Sequence, residues 1–269
     1  MREPLRGASR QSKSITRRFV VEGVPAAQSW TLLHMLSKSW LLVALIICSG
    51  AALAQPPQNF VATYKAKYGG IPITATRELK TLDDGSMVFS FVAKSWIASI
   101  EESSRFRWAD DNHIVPQHYT YNRSGLGRDR TAELSFDWDN GKVTNDVQDK
   151  PWVMTVPPLA LDKLSYQLQI RTDLINDKPL LEYNIADGGH LKQYNFEILG
   201  EERLKTKVGT FDTIKVRRIR EDEDNRHTIF WMAKNWDHLV IRMQQEEDGK
   251  SYEIDLTEAT LDGVKVKGE

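Results

Sequence analysis

The chain of 269 residues has one cysteine, Cys48, and it sits in an apolar run near the N-terminus. One thiol forms no disulfide within the chain. If the run is removed on export, no thiolate remains for metal binding or nucleophilic attack. Histidine is nearly as sparse. Beyond residue 54 stand His113, His118, His190, His227 and His238, none in the paired spacing of a His-Glu-x-x-His helix, and Pro116 separates His113 from His118. These residues imply no metal site and no cofactor. A Gly-x-Ser-x-Gly elbow and a phosphate loop are also missing. Ser124-Gly125-Leu126-Gly127-Arg128-Asp129-Arg130 is glycine-rich, but it lies between two strand-like segments and lacks the helix N-terminus that binds anions. It reads as a β-loop in which Arg123, Arg128 and Arg130 offer at most local anion contact.

Apolar runs long enough to span a bilayer are absent too. The run Leu41–Leu53 falls short of the roughly 20 residues a spanning helix needs. It follows Lys38 and ends in Ala52-Leu53-Ala54 before Gln55-Pro56-Pro57, the arrangement of a cleavable secretory signal over residues 35–54, cut after Ala54. Lipid attachment at Cys48 is not expected, because Ile47 stands where that processing needs a small residue. Residues 1–34 precede Met35, from which the signal is already complete, and read as a non-native extension from a start assigned too early. A twin-arginine signal at Thr16-Arg17-Arg18-Phe19 fits less well, since the apolar segment begins far downstream and Glu22 intervenes. The first 54 residues hold seven of the 36 Lys and Arg and two of the 37 Asp and Glu, leaving 29 against 35 and a formal charge of −6 for residues 55–269. This balance carries no nucleic-acid footprint. The expectation is a periplasmic protein with no transmembrane segment after cleavage.

From Phe60 onward, strand-like segments alternate with turn signals. Phe60–Tyr68 and Ile71–Arg77 flank Gly69-Gly70, a hairpin. Asp83-Asp84-Gly85, Asp110-Asp111-Asn112 and Asp139-Asn140-Gly141 mark further turns. In Ala132–Trp138 the residues Ala132, Leu134, Phe136 and Trp138 share one face, and Glu133, Ser135 and Asp137 the other. One helix interrupts the pattern around residues 160–176, where Leu161, Leu164, Leu168 and Ile175 form a stripe, Asp162 stands near the first turn and Asn176-Asp177-Lys178-Pro179 ends the run. Strands resume at Leu181–Ala186, Leu191–Gly200, Gly209–Arg220, Arg226–Ala233, Leu239–Glu246 and Ser251–Glu258. No linker divides residues 55–269. The fold class is therefore mainly β, a single domain of long antiparallel strands in a strongly curved sheet or incomplete barrel with one helix covering or plugging it. A two-sheet sandwich is the alternative.

Tyr64–Ile73, Asp162-Lys163-Leu164-Ser165, Asp187-Gly188-Gly189, Tyr194, Gly200-Glu201-Glu202, Thr206, Gly209–Thr213 and Trp231-Met232-Ala233 occur in an order similar to that of an exported bacterial family catalogued as domain of unknown function 3108. The resemblance covers nearly all of residues 55–269 and implies a β-rich envelope protein of Gram-negative bacteria. It transfers no activity and no catalytic residue. Leu239-Val240-Ile241-Arg242 departs from the family's Leu-Pro-Val-Arg segment by lacking the proline.

Carboxylates are abundant but clustered, in Glu101-Glu102, Glu201-Glu202 and Glu221-Asp222-Glu223-Asp224, a pattern of solvated edges. The last follows Arg217-Arg218-Ile219-Arg220, whose alternate residues are placed to pair with acids on neighbouring strands. Aromatics are the stronger lead. Most of them suit the core, while Trp96, Trp108, Trp152 and Trp236 fall near strand ends or loops and could line an apolar groove. The leading expectation is a non-catalytic envelope module that binds an apolar or amphipathic, lipid-like ligand or a protein partner. The alternatives are a carboxylate-dependent hydrolase of envelope polymers and a structural or assembly factor.

Overall fold

The computed structural model describes residues 55–125, 127–220, 226–247 and 249–269, so the expected extension and signal lie outside the described residues. The first half is an up-and-down meander: β1 (Phe60–Tyr68), β2 (Ile71–Thr81), β3 (Met87–Lys94), β4 (Ala98–Trp108), β5 (Ile114–Gly125), β6 (Arg130–Asp137), β7 (Lys142–Val147) and β8 (Pro151–Thr155). A short β9 (Leu161–Asp162) leads into α1 (Ser165–Ile175) and then β10 (Leu181–Asp187). The second meander runs through β11 (His190–Thr206), β12 (Gly209–Ile219), β13 (His227–Ala233), β14 (Leu239–Glu247) and β15 (Lys250–Leu261), with β16 (Val264–Lys265) folded back on β15. Strand β15 returns to pair antiparallel with β1, so both meanders belong to one sheet whose edges are β8 and β9. These edges are consecutive in the chain but not hydrogen-bonded to each other, and the strongly curved sheet remains an incomplete barrel.

Period-two alternation sets which residues line the concave side. Phe60, Ala62 and Tyr64 of β1 are buried while Val61 and Lys65 are exposed. In β6, Ala132 and Leu134 are buried, Phe136 packs on the core stacked at 5.4 Å on Trp138 just past the strand end, and Glu133, Ser135 and Asp137 face out. Gly200 does not end a strand. Its φ of +115° opens a β-bulge between Ile198 and Gly200, and β11 continues to Thr206. Val240 pairs with Met232 beside a bulge at Ile241, and its carbonyl accepts the Tyr64 hydroxyl at 2.9 Å.

The helix departs from the expected stripe. Leu161 belongs to β9, which pairs parallel with β10, and Ile175 is exposed at the helix end. Nine of the eleven residues of α1 are buried, among them Gln169, Arg171, Thr172 and Asp173. An element buried all round fills the inside of the curve, and its polar groups then require partners there. Gln169 accepts from the Ile114 amide at 2.9 Å and donates to Asn112 O and Asp173 Oδ1; Asp173 also accepts from the Tyr183 hydroxyl at 2.9 Å. Arg171 reaches Asp237 and lies 4.7 Å from the Phe60 ring centroid. A helix read only by its apolar residues misses this, because half of what anchors it is polar. Among the described residues, no helix is long and apolar enough to cross a membrane.

Candidate functional site

An up-and-down meander places alternate turns at the same end of a sheet. Turns 69–70, 95–97, 148–150 and 188–189 therefore share one end, here termed the rim, together with the start of α1. On the concave side near the rim, a cleft of about 650 Å³ is bounded by the first turn of α1, the ends of β10–β12 and Glu102 of β4. A hollow of about 400 Å³ adjoins it, sharing Lys163, Asp187 and Lys192 and extending to Tyr119, Tyr121, Arg130 and His190.

The cleft is polar. Lys163, Lys192, Arg218, Arg220 and Arg226 line it against two acids, Glu102 and Asp187. Asp187 accepts from Lys192 Nζ at 2.8 Å and the Tyr194 hydroxyl at 3.1 Å, with Lys163 Nζ 3.6 Å away. Burial alone would raise its pKa, but the bond from Lys192, the two lysine charges and Tyr194 together hold it below the usual value. Glu102 is displaced the other way. Burial raises its carboxyl, only partly offset by the bond from the Tyr119 hydroxyl at 2.7 Å and the charge of Lys163.

Arg218 lies 3.4 Å from the Tyr194 ring centroid, and Tyr194 in turn packs edge-on against Tyr166 of α1 at 5.4 Å. This stack fixes the guanidinium in place. Its Nε is buried without a hydrogen-bond partner, as are Gln167 Oε1 and Asn195 Oδ1 in the same cleft. Buried polar atoms left unpaired are costly, so three of them around one hollow mark a place where a polar group belongs.

The Glu102 shift has a consequence for stability. Its folded pKa lies above the unfolded value, so its contribution is complete below the unfolded value and is lost as pH rises through the folded one. Glu102→Gln keeps an acceptor for Tyr119 and cannot ionise. Its Tm relative to the native protein is expected to climb as pH rises from about 4, the ordinary glutamate range, toward neutrality. Paired melts across that range check this, and a constant difference would mean that Glu102 ionises as freely folded as unfolded.

The four tryptophans singled out from sequence are not brought together. Trp96 stands at the β3–β4 tip, 80% exposed. Trp108 lies on a different hollow, with Arg105 and His118. Trp152 of β8 reaches across the seam to the β10–β11 turn, where a Cβ on Gly189 would fall 1.5 Å from its ring, so that position needs glycine. Trp236 is at the opposite end, donating to Lys267 O at 3.1 Å. None of the four lines the polar cleft. Arg217 pairs with Glu197 on β11, as the alternation implied, while Arg218 turns inward. Glu102 was hidden within an acidic pair. Its even spacing from Phe106 on β4 is the signal that places it inside, with Glu101 outside pairing with Lys94. In the 124–130 loop, Gly125 N donates to Asp129 and Arg123 to Arg128 O, so much of its polarity is spent on itself.

No curated protein matches the chain. Among solved structures, the crystal structure of a beta-barrel-like protein of domain of unknown function DUF1849 from Brucella abortus superposes with a TM-score of 0.53 at 6% identity, covering 77% of this chain and 99% of that one. This likeness concerns the fold alone. A chain of the Pseudomonas aeruginosa MucA/MucB complex gives a TM-score of 0.31 at 10% identity over 78% of this chain and 53% of that one, a likeness too distant to bear on function. The profile of the family described as protein of unknown function (DUF3108) matches residues 63–257, and the chain belongs to that family.

Proposed function

We propose that this is an exported periplasmic binding module, cut after Ala54 and not lipid-anchored, whose cleft holds an anionic, hydrogen-bonding group of an envelope ligand or partner. The observation that carries the reading is Arg218, held on Tyr194 with Nε buried and unpaired beside Gln167 Oε1 and Asn195 Oδ1. A phosphate or carboxylate would satisfy the arginine, and its neighbouring donors would satisfy the two amide oxygens. The polar lining favours a charged head over the acyl chain that a tryptophan groove would have taken.

A hydrolytic reading draws on Glu102 and Asp187, whose pKa values are pushed in opposite directions. Against it, Asp187 is engaged by Lys192, Tyr194 and Lys163, and among the described residues lining the cleft no other carboxylate stands opposite Glu102 as nucleophile or base. Binding is therefore preferred.

Calorimetry of the purified exported protein with glycerol phosphate and with glutarate separates a phosphate from a carboxylate group. Whichever binds, Arg218→Gln is expected to weaken it by about tenfold to a hundredfold, the value of a charge-assisted hydrogen bond. Equal affinity in the variant would remove the cleft as the site. N-terminal sequencing of the periplasmic form checks the cleavage point.

A further inference from the structure

The rim carries a second feature that the cleft does not use. Adjacent hairpins present aromatic side chains to solvent: Trp96 at the β3–β4 tip is 80% exposed and Tyr68 at the β1–β2 tip is 58% exposed. Tyr68 stacks at 4.7 Å on Tyr252 of β15, the strand on its other side. The placement is built. Ser95 Oγ accepts from the Ile97 and Ala98 amides at 3.3 and 3.1 Å, which holds the Trp96 turn in one shape. Strand β2 continues through Ile71–Ile73 beyond its last pairing with β3, at Thr74 opposite Lys94, so the Tyr68 tip reaches past the end of the β2–β3 ladder, level with Tyr252 of β15. The same strand ends carry exposed Lys67, Lys94 and Lys250, with Lys94 paired to Glu101.

We propose that this rim docks on the surface of a phospholipid bilayer, with Trp96 and the Tyr68–Tyr252 pair at the headgroup level and the lysines on lipid phosphates. Tryptophan and tyrosine combine an apolar body with a hydrogen-bonding tip and concentrate where a bilayer meets water. Rings on rigid projecting tips gain that burial without ordering a flexible loop. The cleft lies near the same end, so a docked molecule would present it close to the membrane. The docking stands on the rim alone and is independent of what the cleft binds.

The test is sedimentation of the purified exported protein with vesicles of phosphatidylethanolamine and phosphatidylglycerol, together with quenching of its fluorescence by brominated acyl chains. Binding is expected, with Trp96→Phe losing most of the quenching and the double variant Trp96→Ala/Tyr68→Ala binding about tenfold or more weakly. These side chains are exposed, so a melt unchanged from the native protein separates lost docking from misfolding. Val264→Ser, at an exposed aliphatic position of the opposite end, should bind normally. The proposal is overturned if the protein does not sediment with vesicles, if the double variant binds as well as the native chain, or if Val264→Ser is the change that abolishes binding. Capture of a protein through Trp96 without vesicle binding would overturn it in favour of a protein partner. Arg218→Gln should leave sedimentation unchanged, so failure of the docking and failure of the cleft reading are distinguishable.

Discussion

Arg171→Met is expected to destabilise the domain by about 3–5 kcal/mol, the cost of breaking a buried ion pair by removing one member. The side chain is 3% exposed, and its Nε and Nη2 donate to the backbone oxygen and carboxylate of Asp237 at 2.9 and 3.0 Å. Burial lowers its pKa and the Asp237 charge opposes that shift, so the guanidinium depends on this partner. With methionine, the carbonyl and carboxylate of Asp237 lose their donor. Phe60 also loses the cation 4.7 Å from its ring centroid. For a domain of this size the fall in Tm should be of the order of 10 °C. Arg171→Met/Asp237→Asn should recover part of the loss, because the orphaned charge is gone and asparagine tolerates the left-handed backbone at φ +52°. Denaturant unfolding of the three proteins decides it. A single-variant cost below about 1 kcal/mol would mean that this pair does not anchor the helix.

The second large effect is expected at the other end of the helix. Asp162 is fully buried; its Oδ1 accepts from the Leu164 and Ser165 amides at 2.8 Å each, and its Oδ2 from the Ser104 hydroxyl at 2.6 Å. Ser165 Oγ returns a bond from the Asp162 amide at 3.0 Å, a reciprocal cap that joins α1 to β4 and β9. Asp162→Ala leaves three buried donors unpaired, a loss of about 3–5 kcal/mol at roughly 1–3 kcal/mol each with some relaxation. Asp162→Asn retains an amide oxygen for the helix amides and should lose less than half as much. Because Lys163 and Tyr166 of the cleft follow directly, the alanine variant should also weaken whichever probe binds there. Calorimetry and unfolding on the same samples test both, and an alanine variant as stable as the native protein would show the cap to be dispensable.

These two anchors also mark where the sequence stops being informative. The strand pattern, the hairpin at Gly69-Gly70, the turn at Asp187-Gly188-Gly189 and the two faces of β6 were all legible, since each depends on neighbours in sequence: period-two burial and glycines at positive φ. The helix was legible in position and as a cover or plug of the sheet, but not in its polar anchoring. Leu164 and Leu168 suggested a stripe lying on a sheet, whereas Gln169, Arg171 and Asp173 are buried because distant strands supply their partners. The cleft was the least legible. Arg218 sits in a basic run that reads as solvated, and Glu102 in an acidic pair that reads the same way; only strand phase separates Glu102 from Glu101, and only the fold brings Arg218 over Tyr194.

The scarcity of cysteine and of paired histidine in residues 55–269 excludes thiol chemistry and gives no metal-ligand spacing, and this follows from composition. The β class follows from local alternation and turn chemistry, whereas the choice of one curved sheet over a two-sheet sandwich came with the strand pairing. The tertiary structure alone decided that the helix lies inside the sheet, that four tryptophans are dispersed, and that the hollow near the rim is charged. The physical reason is that local periodicity fixes which face a side chain takes, but its neighbours are set by register between strands far apart in the chain, and a site is a property of those neighbours.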